Sequence, residues 1–217
     1  MTKYLTLALY AGGPSDHEFL QPVIQRVVFQ CANSKTQESV EVADQFIRPE
    51  AVDANGRVDK IDGMFAPALS ALSLLFIHAD GAGDAASAFR NNIDPAMQRL
   101  LARRPGGDTA FVGIVPVRET EAWAISDAEA VRNVLGVSWS PVEIGFPATP
   151  LEAEKIQDPK SMLRMAQQKA VGVRKKRLPP IMGLLGEKVS LDRLRQMPSF
   201  CRFEGDLERA LEQLLRH

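Results

Sequence analysis

Cysteine is scarce. Only Cys31 and Cys201 occur in 217 residues, and neither belongs to a CxxC or Cys/His spacing. That count argues against a disulfide framework and against a structural zinc site. Long apolar runs are missing too: nothing approaches the roughly 18 uninterrupted apolar residues of a membrane span. The opening segment MTKYLTLALYAGG is too short and too lightly charged for a signal peptide and reads as a first strand. The expected location is therefore the cytoplasm, away from any membrane. There is no internal repeat and no low-complexity tract. No GxSxG elbow is present, so acyl-hydrolase chemistry of that kind is unsupported, and neither a P-loop ending in GK[ST] nor GxGxxG occurs.

What remains is an ordinary globular composition, with 45% hydrophobic and 24% charged residues. The length suffices for a real core. The net charge of −1 conceals an asymmetry: residues 1–150 carry 12 basic and 18 acidic side chains, whereas residues 151–217 carry 14 and 9. An acidic front suits a cation and a basic tail suits a polyanion, although modest imbalances also arise on any mixed solvated surface.

Residues 2–10 (TKYLTLALY) predict a strand, followed by the turn AGGPSD and a helix carrying Phe19, Leu20, Val23, Ile24, Val27 and Val28 on one face. Ser15 and Glu18 have capping-box spacing at its start. Residues 39–47 are a second extended candidate, 53–62 a polar connection and 64–72 a helix. LLFIH at 74–78 is a continuous apolar run of the kind a buried central strand shows, and TAFVGIVPV at 109–117 is another. Residues 118–126 turn into a short helix that bears Trp123, read with Trp139 as a packing residue. Asp158-Pro159 caps a later helix, and Leu207, Ala210, Leu211, Leu214 and Leu215 form a last helical stripe.

Strands alternating with helices predict an α/β fold with a central, mostly parallel sheet of about four strands. In such sheets ligands gather outside the carboxyl ends of the strands. Three polar clusters fall there: Ser15-Asp16, His78-Ala79-Asp80 and Arg118-Glu119-Thr120-Glu121. Converging carboxylates repel unless a proton or a divalent cation compensates them, and oxygen-rich sites suit Mg²⁺ or Mn²⁺. Each acid also has a plain structural role open to it. Asp16 suits a first helical turn, Asp80 and Asp84 suit turns and caps, and Glu119 suits a helix N-terminus. His78 is equally suited to a metal and to a hydrogen bond. The run Arg174-Lys175-Lys176-Arg177 fits phosphate neutralisation or a solvated loop.

The succession strand–GGPSD–helix, then FIHADGAGD, then VPVRETEAW resembles the Toprim-like group related to the nuclease domains of OLD-type proteins. More narrowly it is similar to a small bacterial Toprim-like family often associated with an ATPase partner and with phage defence. DPKSMLRMAQ and SLDRLRQMPSFCRFEGDLERAL extend the resemblance over nearly the whole chain. It implies a Toprim-like domain over 1–150 with a helical, basic extension over 151–217 packed on it. It also implies metal-dependent phosphodiester hydrolysis with Mg²⁺ or Mn²⁺. Asp80, Glu121, His78 and Asp84 are then the metal candidates, and Asp80, Glu121, Glu119 and Lys160 the catalytic ones. Residues 174–177 are the candidates for nucleic-acid contact, and oligomerisation is an open expectation. Two positions depart from the group's pattern. Gly12 stands where its members carry a glutamate, and His78 stands at the first acid of DxD. The first departure leaves two expectations: a nuclease that uses Asp16 or Glu119 instead, or a non-catalytic subunit that binds an ATPase partner or nucleic acid.

Overall fold

The computed structural model describes residues 2–103, 107–140, 143, 145–171 and 179–216. The basic run at 174–177 lies outside the described residues. The predicted first strand is two, β1 (Lys3–Leu5) and β2 (Leu7–Tyr10), divided at Thr6. There the chain changes partner. β1 pairs in parallel with β3 (Val40–Val42), while β2 pairs in parallel with β4 (Leu74–His78), which pairs in parallel with β5 (Ala110–Ile114). The Thr6 carbonyl marks the switch by accepting the N–H groups of Ser73 and Leu74. A parallel bridge between Ala8 and Ile47 ties the two sheets into one succession, β3, β1/β2, β4, β5. The α/β class and the parallel sheet are thus as the sequence predicts. LLFIH is the central strand, and all five of its residues are buried.

Side-chain alternation feeds two cores. Leu7, Leu9, Leu74, Phe76, Val112 and Ile114 point to one face, and Ala8, Leu75 and Ile77 to the other. The second face is covered by α2 (Arg57–Phe65) and by α4 (Asp94–Arg103), which follows α3 (Ala85–Asn92). Helix α2 begins inside the stretch expected to be a polar connection. Val58, Ile61, Met64 and Phe65 supply its apolar face, and the charged Arg57, Asp59, Lys60 and Asp62 interspersed with them mask the period. Asp62 is also buried there, satisfied by Arg103 of α4 at 3.1 Å from Nε.

The first face is covered by α1 (Pro14–Lys35) and by helices from the C-terminal third. Helix α1 starts two residues earlier than the Ser15–Glu18 spacing implies. Pro14, with its φ already helical, takes the first position, so Gly13 is the N-cap and Asp16 the third residue. The chain continues through α5 (Thr120–Ile125), α6 (Ala128–Leu135), α7 (Pro150–Ala153) and α8 (Pro159–Ala170). It ends in α9 (Met182–Lys188), α10 (Leu191–Leu194) and α11 (Pro198–Leu215). Residues beyond 150 complete the core against α1, with Leu185, Phe200, Phe203, Leu207 and Leu211 buried in the same cluster as Phe19 and Phe76. Trp123 sits 5.1 Å from Phe200 and 6.0 Å from Phe203 between ring centroids. Its indole N–H donates to Ser199 Oγ at 2.8 Å, and the Ser199 N–H donates to Glu154 at 2.9 Å.

Helix α9 crosses α1 at very short range. A Cβ on Gly186 would stand 2.3 Å from the Phe19 carbonyl oxygen and 2.7 Å from Pro22 Cγ. Pro22 lies inside α1 and has no N–H, so the ladder bond to Glu18 is missing at this point. A glycine on the facing helix lets the two backbones close over the gap, and Arg26 clamps it by donating to the Gly186 carbonyl at 3.0 Å. Gly186→Ala is therefore expected to destabilise the protein by about 2–3 kcal/mol, because backbone, not a flexible side chain, is in the way. Gly205→Ala on α11, where a Cβ meets nothing closer than 3.8 Å, is expected to stabilise by about 0.5–1 kcal/mol through helix propensity. Urea unfolding of both variants checks the pair. Equal shifts of the same sign would refute the close crossing.

Candidate metal centre

The strands β2, β4 and β5 all end at one edge of the sheet, and the chain leaving each carries acids. After β2, Asp16 in the first turn of α1 accepts from the Gly13 N–H at 3.1 Å. After β4, the segment 79–83 turns sideways and bonds to the segment leaving β5. The N–H groups of Ala79, Gly81, Ala82 and Gly83 donate to the carbonyls of Ile114, Pro116, Arg118 and Val117 at 3.0, 3.1, 3.2 and 2.7 Å. Gly81 is essential to that seam, since a Cβ there would stand 2.3 Å from the Pro116 oxygen. Asp80 is thereby held beside Glu119 and Glu121, which open α5.

Asp16, His78 and Asp80 each present one ligand atom within 4.8 Å of the others, so the three can hold a single metal ion. His78 is 1% exposed. Its Nε2 lies 3.1 Å from Thr120 Oγ1 and 3.5 Å from Asp80 Oδ1, while its Nδ1 is buried without a hydrogen-bond partner among the described residues. Burial pushes the imidazole down to about 4; Arg57 and His17 push the same way and Asp16 opposes them. The ring is thus neutral at pH 7, the form that binds metals. Burial likewise pushes the Asp80 carboxyl up to about 6, with Asp16, Glu119 and Glu121 adding to the shift and Lys160 opposing it. Glu119 is the N-cap residue of α5 but makes no capping bond, and its buried Oε2 has no partner among the described residues.

Glu121 is buried, and desolvation raises its carboxyl above the usual range, opposed by its own backbone N–H and by Lys160. Lys160 Nζ stands 3.6 Å from Glu121 Oε1. A lysine in the first turn of a helix opposes the helix dipole, and Glu121 offsets that. The acids are consequently divided between two compensations: Lys160 serves Glu121, and Asp16, His78 and Asp80 form the group open to an ion.

Of the residues singled out from sequence, the fold brings His78, Asp80, Glu119, Glu121 and Lys160 to one edge. Asp84 is elsewhere engaged: it is exposed and caps α3, accepting from the Ser87 N–H at 2.9 Å. Asp16, weighed above as an ordinary first-turn residue, is the member that completes the triad. Arg57 was not singled out. Its guanidinium donates to the His78 carbonyl and, at 2.9 Å, to the Asn92 carbonyl, and it lies 5.0 Å over the Tyr10 ring. It ties the ends of β2 and β4 together from a segment whose polarity gave no signal. Comparison with family models, with curated proteins and with solved structures finds no match.

The folded protein holds the Asp80 proton more tightly than the unfolded chain does. The stabilisation this provides is complete below the unfolded carboxyl value of roughly 4 and is lost as the pH rises through about 6. With chelator present, Asp80→Asn and the wild type are expected to unfold at similar urea concentrations near pH 4. The variant is expected to become the more stable as the pH reaches about 7. A gap that does not change with pH would show that neither burial nor the neighbouring carboxylates raise the Asp80 carboxyl.

Proposed function

We propose that this chain is a divalent-metal-dependent phosphodiesterase that acts on nucleic acid, with Asp16, His78 and Asp80 as its metal ligands. The observation that carries the proposal is the triad itself, in which Asp16 and His78 are buried and Asp80 reaches solvent. Two carboxylates and a neutral imidazole converge at the ends of parallel strands, beside an imidazole nitrogen and a glutamate oxygen that have no partner among the described residues. Groups left this way cost stability unless something binds them, so the donor set fits a cation. One nitrogen with two or more oxygens suits Mn²⁺ better than Mg²⁺, which prefers oxygen alone. Such an ion polarises a phosphoryl oxygen and lowers the pKa of an attacking water.

The chain's own residues then have distinct parts. Asp16 and Asp80 supply charge, and His78, already neutral, supplies a ligand without first losing a proton. Glu119, with one oxygen free, is placed to accept a proton. Lys160, 65% exposed at its side chain, can leave Glu121 for a substrate phosphate. Arg174, Lys175, Lys176 and Arg177 are proposed to neutralise further phosphates. Asp16 also answers the departure at position 12. A Cβ on Gly12 would lie 3.7 Å from Asp16 Oδ2, so the α1 carboxylate stands beside the point from which the Toprim-like glutamate would project. An ATPase partner and a role in phage defence, as the resemblance implies, belong to this same reading.

The bare Gly12 favours a second reading, a binding subunit without catalysis. Nothing in the backbone demands glycine there, since its φ is not positive and its neighbours leave room. Calorimetry with Mn²⁺ addresses the first reading. Asp16→Asn and Asp80→Asn are each expected to weaken binding at least about 100-fold, since ligands matter no less than the residues that orient them. Asp84→Ala is expected to leave binding unchanged. Unaltered affinity in both ligand variants would overturn the assignment. Cleavage of single-stranded DNA and of RNA with Mn²⁺ then separates the readings. Activity lost in both ligand variants supports the enzyme. Metal binding without cleavage, in the wild type and in Gly12→Glu alike, supports the binding subunit.

A further inference from the structure

The two ends of the sheet are treated differently. At one end β3 is three residues long and carries the exposed Glu41, a short and charged edge of the kind that resists pairing. At the other end β5 reads AFVGI, with neither a charge nor a proline. Its register leaves Ala110, Val112 and Ile114 bonded to β4, so the backbone N–H and C=O groups of Phe111 and Gly113 turn outward. Among the described residues nothing pairs with them.

The space beside this edge is a groove, not open surface. Two cavities of about 500 and 510 Å³ adjoin it and share Phe89, Gly113, Asp206 and Arg209. Half-buried Phe89 of α3 forms one wall; the floor is buried Gly113 and the edge of Phe203 of α11, itself 1% exposed. Gly113 has no side chain because the Phe89 ring occupies that place, 2.6 Å from where a Cβ would stand. The rim at the Gly113 end is basic. It carries Arg90, Arg202 and Arg209 against Asp206, which Arg209 already engages. Arg90 donates to the Ser87 hydroxyl at 2.9 Å and lies near enough to the exposed Asp84 carboxylate to help hold its proton affinity down. Arg202 has no hydrogen bond or ion pair among the described residues.

We propose that β5 is a docking edge for an extended peptide segment of a partner protein, in which apolar residues alternate with acidic ones. Main-chain groups of the segment pair with Phe111 and Gly113, as in strand addition. Apolar side chains lie against Phe89, over the buried Phe203, and carboxylates meet Arg202 and Arg90. The charge at the Gly113 end is what selects the occupant there, whereas the Phe111 end carries Asp94. A second copy of this chain pairing edge to edge would set arginines against arginines, and a basic segment would be repelled likewise.

The test uses the full chain and a fluorescein-labelled Glu-Val-Glu-Val-Glu-Val peptide, read by anisotropy and by amide hydrogen exchange. The expected result is saturable binding below about 1 mM, with new protection at the Phe111 and Gly113 amides. Binding should weaken at least tenfold for the Lys-Val counterpart, for the same acidic peptide N-methylated at alternate amides, and for the exposed Arg90→Glu/Arg202→Glu double variant. No binding at that concentration, equal binding of the acidic and basic peptides, or binding indifferent to N-methylation would each overturn the proposal. So would sedimentation showing a dimer that protects the same two amides.

Discussion

The seam of backbone hydrogen bonds between the segments leaving β4 and β5 is the constraint on which the candidate site depends. Four N–H groups from 79–83 are spent on carbonyls from 114–118, and they place Asp80 against Glu119 and Glu121 although carboxylates repel. Side-chain contacts alone could not do this, because the cations in reach are engaged elsewhere: Arg57 on the His78 and Asn92 carbonyls, and Lys160 on Glu121. Backbone bonds hold whatever the protonation state, so the crowding is fixed by the fold and relieved by protons or cations, not by separation. Ala82 at a φ of +48° and Gly83 at +95° are the bends that turn the chain into the seam. For an alanine that conformation is disfavoured, a cost of order 1 kcal/mol held in place by the surrounding bonds.

Much of this was legible in the sequence, and the limits have physical causes. LLFIH and TAFVGIVPV were readable as buried strands because parallel strands covered on both faces lose the alternation that half-exposed strands keep. The parallel-sheet rule then brought their polar ends to one edge without any motif. The rule could not say which acid belongs to which compensation. Asp84 and Asp80 are four residues apart and alike on paper. One falls at the first turn of α3 and is satisfied by a backbone N–H, while the other falls in the seam and has none. Asp16 was obscured for the opposite reason: it looks like a capping residue, and it is one, with its second oxygen side still open to the cluster. Arg57 gave no signal because a cation that binds carbonyls has no sequence partner to be matched with.

The C-terminal third matters to the site through packing. Trp123 lies two residues after Glu121, and its ring is held by Phe200 and Phe203 of α11, its N–H by Ser199, and Ser199 in turn by buried Glu154. Helix α5 is only six residues long, too short to hold its own position. Its location, and with it that of Glu119, Thr120 and Glu121, is set from the far side by these contacts. The two segments of sequence that carry the resemblance most specifically, VPVRETEAW and MPSFCRF, are thus one structural unit. That is a physical reason for them to appear together.

Strand β5 serves two ends at once. In a parallel ladder each residue sends both backbone groups to one side, so alternate residues belong to alternate neighbours. Ala110, Val112 and Ile114 are committed to β4 and fix the strand whose continuation delivers Glu119 and Glu121. Among the described residues, Phe111 and Gly113 are committed to nothing. A strand added outside would therefore pair with groups the site does not use, and would cover an edge that the sequence has left uncharged. The candidate metal centre and the unpaired edge share a strand without sharing an atom of its hydrogen bonding. Loss of one leaves the geometry of the other standing, and the two readings can fail separately.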